Sequence, residues 1–412
     1  MKKKIIAGID IGSTFIRVVV GQAGEHGLSI IGLAEVDSDG VSKGVITSIE
    51  DAVSRISQAL EKAERMTGVP IESAVVSISG NHIVSHMSKG VIAVSRANGE
   101  INEEDVDRAI EAAQTVSIPP NYEILHVIPR QFSVDNQPGI KDPIGMTGIR
   151  LEVSAQIIQG LSAQIKNLTK TIYRTGVDVD DVVVAGLATA EAVLSRRQKE
   201  LGVCVFNIGG ATTSLSVFEE GDIIHTAVIP VGSSHITSDI AIGLRTSLDT
   251  AEEIKFRYGT ALPETVDRRE DLNLEDISKH DTGVVSKHHI AEIIEARVEE
   301  IFKLADRELV KIERSGKLPA GVILTGGGAK LEGTIELARK IFRLPASLGY
   351  PREVPSAIDK VNDPSLTCGV GLVVWGYNSL SSENSRKRLM PSFASTSQVT
   401  KKLQKWFKSL LP

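Results

Sequence analysis

An internal repeat constrains the fold of this 412-residue chain more than any other feature. Residues 4–36 read as a strand, a glycine turn, a strand, a loop and a strand, and residues 202–231 repeat that order. Gly12 and Gly209 stand in equivalent turns of the two copies. Two unrelated β-hairpins would give the same local pattern, but a second copy half a chain away favours a duplicated α/β fold.

A third glycine-rich element follows in residues 320–333, which read AGVILTGGGAKLEG. The pattern predicts a short buried strand, a loop of Gly326, Gly327 and Gly328, and a helix over residues 334–342. A glycine loop between a strand and a helix lets backbone N–H groups approach an anion or a nucleotide. A flexible connection would also be rich in glycine, so the loop is informative only together with the two hairpins.

Composition and charge narrow the functional classes. Hydrophobic residues make up 42% of the chain, which suits a large buried core. The net charge of −6 and the aromatic content of 4% argue against nucleic acid as a partner. Cys204 and Cys368 lack metal-ligand spacing and fit a reducing compartment. Residues 381–412 nevertheless contain seven Lys or Arg and one acidic residue, so the chain ends in a basic tail.

Three motifs, Asp-Ile-Gly-Ser-Thr, Asn-Ile-Gly-Gly-Ala-Thr-Thr and Leu-Thr-Gly-Gly-Gly-Ala, together resemble the two phosphate motifs and the adenosine motif of the actin-like ATPase superfamily. The resemblance extends to about Leu380. It implies an actin-like, two-lobed α/β fold built from duplicated ribonuclease-H-like domains that enclose ATP. The residues that it implies as nucleotide contacts are Asp10, Gly12, Ser13, Thr14, Arg17, Asn207, Gly209, Gly210, Thr212, Thr213, Glu252, Lys255, Gly326, Gly327 and Gly328.

The resemblance also suggests roles for some of these side chains. Asp10 would hold Mg²⁺ through water, because Mg²⁺ gives up its hydration reluctantly. Arg17 falls where several relatives carry a phosphate-facing lysine, although an ordinary exposed strand arginine is an equal alternative. Glu252 and Lys255 share one helix face beside the adenosine, although a surface ion pair has the same spacing.

Two positions depart from the superfamily pattern. Asn207 and Ser214 stand where the second phosphate motif of relatives commonly carries aspartate. An asparagine can form hydrogen bonds but cannot act as a base. Because binding depends largely on glycine amides, we expect ATP to bind and to be hydrolysed slowly or not at all. No catalytic residue is assigned.

An insertion identifies the branch of the superfamily. Within residues 84–160, the sequence HVIPRQFSVDNQ…DPIGMTGIRLEV resembles the inserted, SHS2-like subdomain 1C of the FtsA family of bacterial cell-division proteins. The downstream sequence VIPVGSSHITSDIAIGLRTSLDTAEEIKFRYG resembles the same family. The implied organisation is subdomain 1A in 1–83, 161–200 and 362–380, subdomain 1C in 84–160, subdomain 2A in 201–238 and 301–361, subdomain 2B in 239–300, a flexible linker in 381–397 and an amphipathic helix in 398–412.

The basic tail has the composition of an interfacial amphipathic helix, with lysines on much of its surface and apolar residues on one face. A helix packed on the body is the alternative. One such helix would bind membrane weakly, whereas several on one filament would bind tightly through avidity. The residues predicted to face lipid are Val399, Leu403, Trp406, Phe407, Leu410 and Leu411.

The FtsA resemblance implies further partners: self-association into filaments, anionic inner-membrane lipid, later divisome proteins and the C-terminal peptide of FtsZ, at the cytoplasmic side of the cell membrane where the cell divides. Lys287, His288 and Arg297 are the predicted contacts of that peptide on subdomain 2B, although a solvated helix face would look the same. A PilM-like pilus-assembly adaptor and a soluble actin-fold ATPase or kinase are the alternative functions, and the tail argues against both.

Overall fold

The computed structural model describes residues 4–385, apart from residues 26, 116–118, 280, 353 and 357. The strands and helices of the first half, in chain order, are β1 (Lys4–Ile11), β2 (Phe15–Gly24), β3 (Gly27–Asp37), β4 (Val41–Ser42), β5 (Val45–Ile46), α1 (Ile49–Thr67), β6 (Ser73–Ile78), β7 (Val84–Ala93), α2 (Glu103–Gln114), β8 (Tyr122–Val134), β9 (Gln137–Ile140), β10 (Arg150–Leu161), α3 (Ser162–Tyr173), β11 (Asp178–Val184), α4 (Ala185–Val193) and α5 (Arg196–Leu201).

The second half is built in the same style from strands and helices that alternate more often. Its elements are β12 (Val203–Ile208), β13 (Thr213–Glu219), β14 (Asp222–Ile229), α6 (Ser233–Leu244), α7 (Leu248–Tyr258), β15 (Asp271–Asn273), β16 (Val284–Ser286), α8 (Lys287–Lys311), β17 (Val322–Thr325), α9 (Thr334–Phe342), β18 (Ala346–Leu348) and α10 (Thr367–Ser385). The structure thus places α9 over the predicted residues.

Two five-stranded sheets share one topology and define two lobes. The first sheet has the order β11-β6-β1-β2-β3, and the second has the order β14-β13-β12-β17-β18. In each sheet, three consecutive antiparallel strands, β1–β3 or β12–β14, are extended by two parallel strands, β6 and β11 or β17 and β18. The connections therefore show the duplication that the sequence predicts.

Three hydrophobic clusters fill the interior. Val205 belongs to the largest cluster, which fills the first lobe and continues over α4 to the second sheet. Its neighbour Phe206 belongs to the cluster of the second lobe, where its ring stacks on Phe342 at 5.0 Å between centroids. Successive residues of a strand point to opposite faces, so one face of β12 looks toward α4 and the other toward the helices of the second lobe.

The insert has a core of its own between α2 and a four-stranded sheet of order β7-β10-β8-β9. Asn102 and Asp105 form a reciprocal cap at the start of α2. Burial raises the pKa of Asp105, but hydrogen bonds from Arg108, Asn102 and Ser95 outweigh it and hold the pKa at about 2. Strand β9 is an edge strand of this sheet and pairs with β8.

The insert also contacts the second lobe. Ser85 of β7 accepts a hydrogen bond from the Thr226 N–H at 3.2 Å and donates one to the Thr226 carbonyl at 2.9 Å. Lys141 forms an ion pair with Asp222 at 2.5 Å between Nζ and Oδ2. Burial raises the pKa of Asp222, although Lys141 opposes that rise. The insert of the first lobe therefore contacts β14, the edge strand of the second sheet.

The C-terminal part differs from the prediction in one respect. Helix α10 continues to Ser385, past the predicted start of the linker at residue 381, because no glycine or proline interrupts the helix there. The predicted amphipathic helix and its six lipid-facing residues lie outside the described residues. Among the residues that are described, no helix has both the length and the apolar character needed to cross a membrane.

Candidate nucleotide-binding site

A cleft of about 790 Å³ separates the two lobes. It lies where β1 and β12, the equivalent central strands of the two sheets, come to an end. All of the predicted nucleotide contacts except Thr213 line it, namely Asp10, Gly12, Ser13, Thr14, Arg17, Asn207, Gly209, Gly210, Thr212, Glu252, Lys255, Gly326, Gly327 and Gly328. The fold thus gathers residues that are hundreds of positions apart in sequence.

The first glycine hairpin closes between β1 and β2. The N–H of Gly12 donates to the Phe15 carbonyl at 3.1 Å, and a Cβ at Gly12 would lie only 2.7 Å from that oxygen. The turn therefore requires glycine. The Ser13 hydroxyl accepts a hydrogen bond from the Gly44 N–H at 3.1 Å, which fixes the hairpin against the loop after β4.

The second hairpin repeats this geometry between β12 and β13. The Gly209 N–H donates to the Thr212 carbonyl at 2.9 Å, and the carbonyls of Gly209 and Gly210 accept from the first amides of α6. A Cβ on Gly210 would collide with Oγ1 of Thr14 in the first hairpin. The two hairpins therefore face each other directly across the cleft, and only glycine at position 210 permits this approach.

Unpaired backbone amides of the two turns suit an anionic ligand. They belong to cleft-lining residues, and among the described residues they have no hydrogen-bond acceptor; the residues are Ser13, Thr14, Gly210, Ala211 and Thr212. Thr14 is exposed, but the other four residues are half-buried, and N–H groups removed from water are normally satisfied. Phosphate oxygens would satisfy them, since amides in glycine turns form concave anion sites.

Asp10 lies on the floor of the cleft and is 9% exposed. The Ser77 hydroxyl donates to Oδ1 at 3.0 Å and accepts from the Ile11 N–H at 2.9 Å, so the carboxylate is oriented. Burial, followed by the charge of the Asp10 carboxylate, raises the pKa of the Cys368 thiol well above its usual value. A single oriented carboxylate fits Mg²⁺ bound through water and phosphate. No cluster of three His, Cys, Asp or Glu that could hold a metal occurs among the residues described.

Arg17 lines the cleft with its charge already balanced. Its Nε donates to Oε2 of Glu35 at 2.7 Å, its guanidinium lies 5.2 Å from the centre of the Phe15 ring, and its side chain is 13% exposed. It is therefore a packed residue at the cleft wall and not a freely solvated strand arginine. A phosphate group would compete with Glu35 for this guanidinium.

The opposite wall of the cleft comes from α7. Lys255 is 9% exposed, and its Nζ lies 2.6 Å from Oε2 of Glu252 and 2.9 Å from Oγ1 of Thr237. The Thr237 hydroxyl also donates to Glu252. This triad differs from an ordinary surface ion pair because Lys255 and Thr237 are buried and both contact Glu252, although the Glu252 side chain itself is 41% exposed. It gives the wall both donor and acceptor groups for a ribose.

Thr213 corrects the prediction. Its hydroxyl donates to the Val231 carbonyl at 2.8 Å, and the residue is 1% exposed, so it points into the second lobe. Ser214, one of the two departures from the superfamily pattern, does line the cleft. Both faces of β13 are buried, so the alternation of polar and apolar residues could not distinguish the two.

The three predicted peptide contacts lie on α8 in different surroundings. Lys287 lines the nucleotide cleft, where its Nζ lies 5.3 Å from the centre of the Tyr258 ring. His288 approaches Glu292 of the same helix at 3.5 Å. Arg297 lies ten residues along α8 from Lys287, about 15 Å away, and forms a two-pronged ion pair with Asp239.

Some cleft residues were absent from the prediction. Phe256 is 78% exposed on the cleft-lining face of α7, and Ser233 and Ser234 begin α6 beside the second hairpin. The spacing of Phe256, four residues after Glu252 on one helix face, was a usable signal. No sequence signal predicted the contact between the second hairpin and α6, because that contact depends on a turn that the sequence does not define.

Comparisons with known proteins agree with this architecture. The family model described as "Cell division protein FtsA" matches residues 204–371, and the model described as "SHS2 domain inserted in FTSA" matches residues 80–159. Cell division protein FtsA of Pseudomonas aeruginosa is 38% identical over 407 residues, which cover 98% of this chain and 97% of that protein. The chain belongs to the FtsA family of cell-division proteins. The predicted family is thereby confirmed.

Other FtsA proteins are similar to this chain over most of its length. The Bacillus subtilis protein is 39% identical over 370 residues, covering 90% of this chain and 83% of that protein. The Escherichia coli protein is 32% identical over 415 residues, covering 98% of each. Similarity therefore extends through both lobes and the insert.

Solved structures confirm the actin-like fold. A PilM–PilN type IV pilus biogenesis complex aligns with a TM-score of 0.65 at 16% identity, covering 90% of this chain and 98% of that one. MreB5 of Spiroplasma citri bound to AMPPNP aligns with a TM-score of 0.55 at 13% identity, covering 94% and 99%. At these identities the likeness concerns the fold alone, and the MreB5 structure shows that this fold holds an ATP analogue in that protein.

Proposed function

We propose that the chain is an ATP-binding actin-like protein that forms filaments, tethers FtsZ to the cytoplasmic face of the membrane and helps to assemble the divisome. Membership of the FtsA family supports the role in cell division. The observation that carries the nucleotide part is the cleft where two duplicated glycine hairpins meet with unpaired amides on both sides.

In this proposal the hairpin amides bind the phosphates, and Glu252 and Lys255 of α7 bind the ribose. Asp10 orients a bound Mg²⁺ through water, and the ion would neutralise phosphate charge. The glycines matter because they let the backbone, and not side chains, surround the ligand. A site of this kind binds ATP mainly through groups that the fold holds in place before binding, so little ordering is needed on binding.

Slow turnover is the second part of the proposal. Fast hydrolysis needs a group that orients or deprotonates the attacking water. Asn207 and Ser214 are neutral, and the amide of Asn207 is engaged with Thr189 at 3.0 Å. We therefore expect ATP to act mainly as a conformational ligand. A purified protein that released phosphate at about 1 per second or faster would contradict this expectation.

FtsZ binding is proposed on α8 and its neighbours, with Arg297 as the main contact. The Arg297 side chain is 24% exposed and bound to both Asp239 and Glu300, and these carboxylates raise the pKa of Arg297 while burial opposes the rise. A peptide carboxylate would exchange with Glu300, which is the more exposed partner. Lys287 would join this surface only if it left its position in the cleft.

Membrane attachment is proposed for the C-terminal helix. Burying a large apolar side chain is worth about 1.5–3 kcal/mol, and each lysine near anionic lipid adds about 1 kcal/mol. Ordering an isolated helix offsets much of this gain. A single chain should therefore bind reversibly, and a filament should bind tightly.

Vesicle sedimentation tests the tether. The full chain should pellet with phosphatidylglycerol-containing vesicles in the presence of ATP, and a chain ending at Ser385 should remain in the supernatant. Leu410→Glu should abolish pelleting, whereas Ser409→Glu, which adds the same charge on the lysine side of the predicted helix, should have little effect. Equal pelleting of the full and shortened chains would overturn the tether. Titration with an FtsZ C-terminal peptide, with Arg297→Ala as the variant, tests the partner separately.

A further inference from the structure

Asn207 makes a contact that its expected role in nucleotide binding does not explain. Its Nδ2 donates to Oγ1 of Thr189 at 3.0 Å. Thr189 is fully buried in α4, the helix from which the chain continues through α5 to the second lobe. Asn207 lies on the same face of β12 as Val205, the face that looks toward α4. The side chain is therefore directed at the junction between the lobes.

The proton of the Thr189 hydroxyl fixes the polarity of this contact. That hydroxyl donates to the Ala185 carbonyl at 2.7 Å, one turn earlier in α4. A hydroxyl has one proton, so while Thr189 donates to Ala185 it offers a lone pair to position 207. The carboxamide of asparagine supplies the donor that is needed. An aspartate carboxylate at the same place would receive a hydrogen bond only if the hydroxyl left the Ala185 carbonyl.

The other end of the carboxamide packs against the third glycine motif. A Cβ at Gly326 would collide with Oδ1 of Asn207, and Gly326 has a φ of +84°, in the left-handed region. The Asn207 side chain therefore contacts α4 through the hydrogen bond of Nδ2 to Thr189 and the glycine loop through close packing.

Helix α4 makes this contact a tie between lobes. It packs on α10 of the first lobe, where a Cβ at Gly371 would collide with the Ala188 carbonyl. It also packs on β12 and β13 of the second lobe, where a Cβ at Gly186 would lie 2.6 Å from Oγ of Ser216. Any rotation of the lobes about α4 must therefore move Asn207 relative to Thr189.

We propose that Asn207 is a positioning residue that ties β12 of the second lobe to α4 and so sets the lobe angle at which the two hairpins meet. The hairpin that follows β12 carries Gly210, which contacts Thr14 of the opposite hairpin. A small change at the start of this hairpin alters the separation of the amides on which the phosphates bind. The inference rests on the proposed ATP binding, and it explains why an asparagine can stand where a carboxylate is common in relatives.

A double-mutant cycle in the full chain tests the tie. Asn207→Ala and Thr189→Val should each weaken ATP binding by roughly tenfold. Because Thr189→Val also removes the hydrogen bond to Ala185, the double variant should be no weaker than Thr189→Val alone. Thr189→Ser keeps the hydroxyl and should keep binding within about twofold of the parent chain. Asn207→Asp should bind worse than the parent chain, because Thr189 must give up its hydrogen bond to Ala185 to contact a carboxylate.

The unfolding temperature, measured without nucleotide, makes the result independent of the proposed function. The two single losses should not add, and Thr189→Val should lower the unfolding temperature at least as much as Asn207→Ala, because it also removes the hydrogen bond to Ala185. If the parent chain bound no ATP while this cycle remained non-additive, the proposed function would fail and the tie would stand. Additive losses in both measurements would overturn the tie. So would an Asn207→Asp variant that bound Mg²⁺-ATP more tightly and hydrolysed it faster, since position 207 would then face the metal.

Discussion

Replacing Ser85 with alanine tests how the insert is held against the second lobe. Ser85 lies in β7 of the insert. Its hydroxyl accepts a hydrogen bond from the Thr226 N–H at 3.2 Å and donates one to the Thr226 carbonyl at 2.9 Å, so it pairs with the backbone of β14 as a neighbouring strand would. Since β14 is an edge strand, these two backbone groups have few alternatives in the fold. Alanine removes both hydrogen bonds and leaves the shape of the interface almost unchanged.

The size of the effect follows from this geometry. Each intramolecular hydrogen bond contributes about 0.5–1.5 kcal/mol net, so the loss of two should destabilise the docked insert by about 1–3 kcal/mol. That free energy corresponds to about a 5- to 150-fold shift in the local opening equilibrium. The core of each lobe is not involved, so global unfolding should change less than local opening.

Hydrogen exchange of the β14 amides is the suitable assay. In Ser85→Ala, the amide of Thr226 should exchange about 5- to 150-fold faster, while amides of the central strand β12 keep their protection. Ser85→Thr is the matched control, since it retains the hydroxyl. Unchanged exchange at Thr226 in the alanine variant, or equal acceleration in the threonine variant, would refute the idea that this hydroxyl caps the edge strand.

Three further comparisons test separate parts of the structure. Gly326→Ala should destabilise the chain by at least about 2 kcal/mol in urea unfolding, because position 326 combines positive φ with a collision, while Gly327→Ala, whose Cβ meets nothing within 4 Å, should be near neutral. Burial raises the pKa of Asp181 to about 6. The folded state thus holds a proton that the unfolded chain releases at lower pH, so the parent chain loses stability as pH rises from about 4 to 6. The variant Asp181→Asn should therefore be more stable than the parent chain by about 1–3 kcal/mol at pH 8 but not at pH 4. Equal pH profiles of the two chains in thermal unfolding would contradict this. Lys287→Ala should weaken ATP binding several-fold and spare FtsZ-peptide binding, whereas Arg297→Ala should do the reverse; matching losses in both titrations would mean that the two residues share one site.

Sequence reasoning succeeded where the backbone itself carries the signal. The hairpins of Gly12 and Gly209 and the loop at Gly326 are visible because only glycine permits these turns, and the strands before them are runs of β-branched residues. The duplicated sheet topology followed from the repeat. The helix pair of Glu252 and Lys255 followed from its spacing.

The features that were not predicted from the sequence depend on which residues a side chain contacts in the folded structure. Thr213 was expected to face the nucleotide, but β13 is buried on both faces and its polarity pattern gives no direction. Lys287 and Arg297 were both predicted as contacts of one peptide, and the structure adds that Lys287 lines the cleft between the lobes, a placement that no local pattern indicates. The contact of Ser85 with Thr226 joins residues of different lobes, and no local pattern predicts such a pairing.

The two halves of the cleft differ in charge, which agrees with the proposed role of ATP as a conformational ligand. Asp10 pairs across its hairpin with Arg17, and the equivalent register of the second sheet pairs Asn207 with Ser214. The first pair is an acid and a base, and the second pair is neutral at both positions. Neither Asn207 nor Ser214 carries a charge that hydrolysis could use. In the proposed function the second half of the cleft therefore acts through its glycine amides and through the contact of Asn207 with α4.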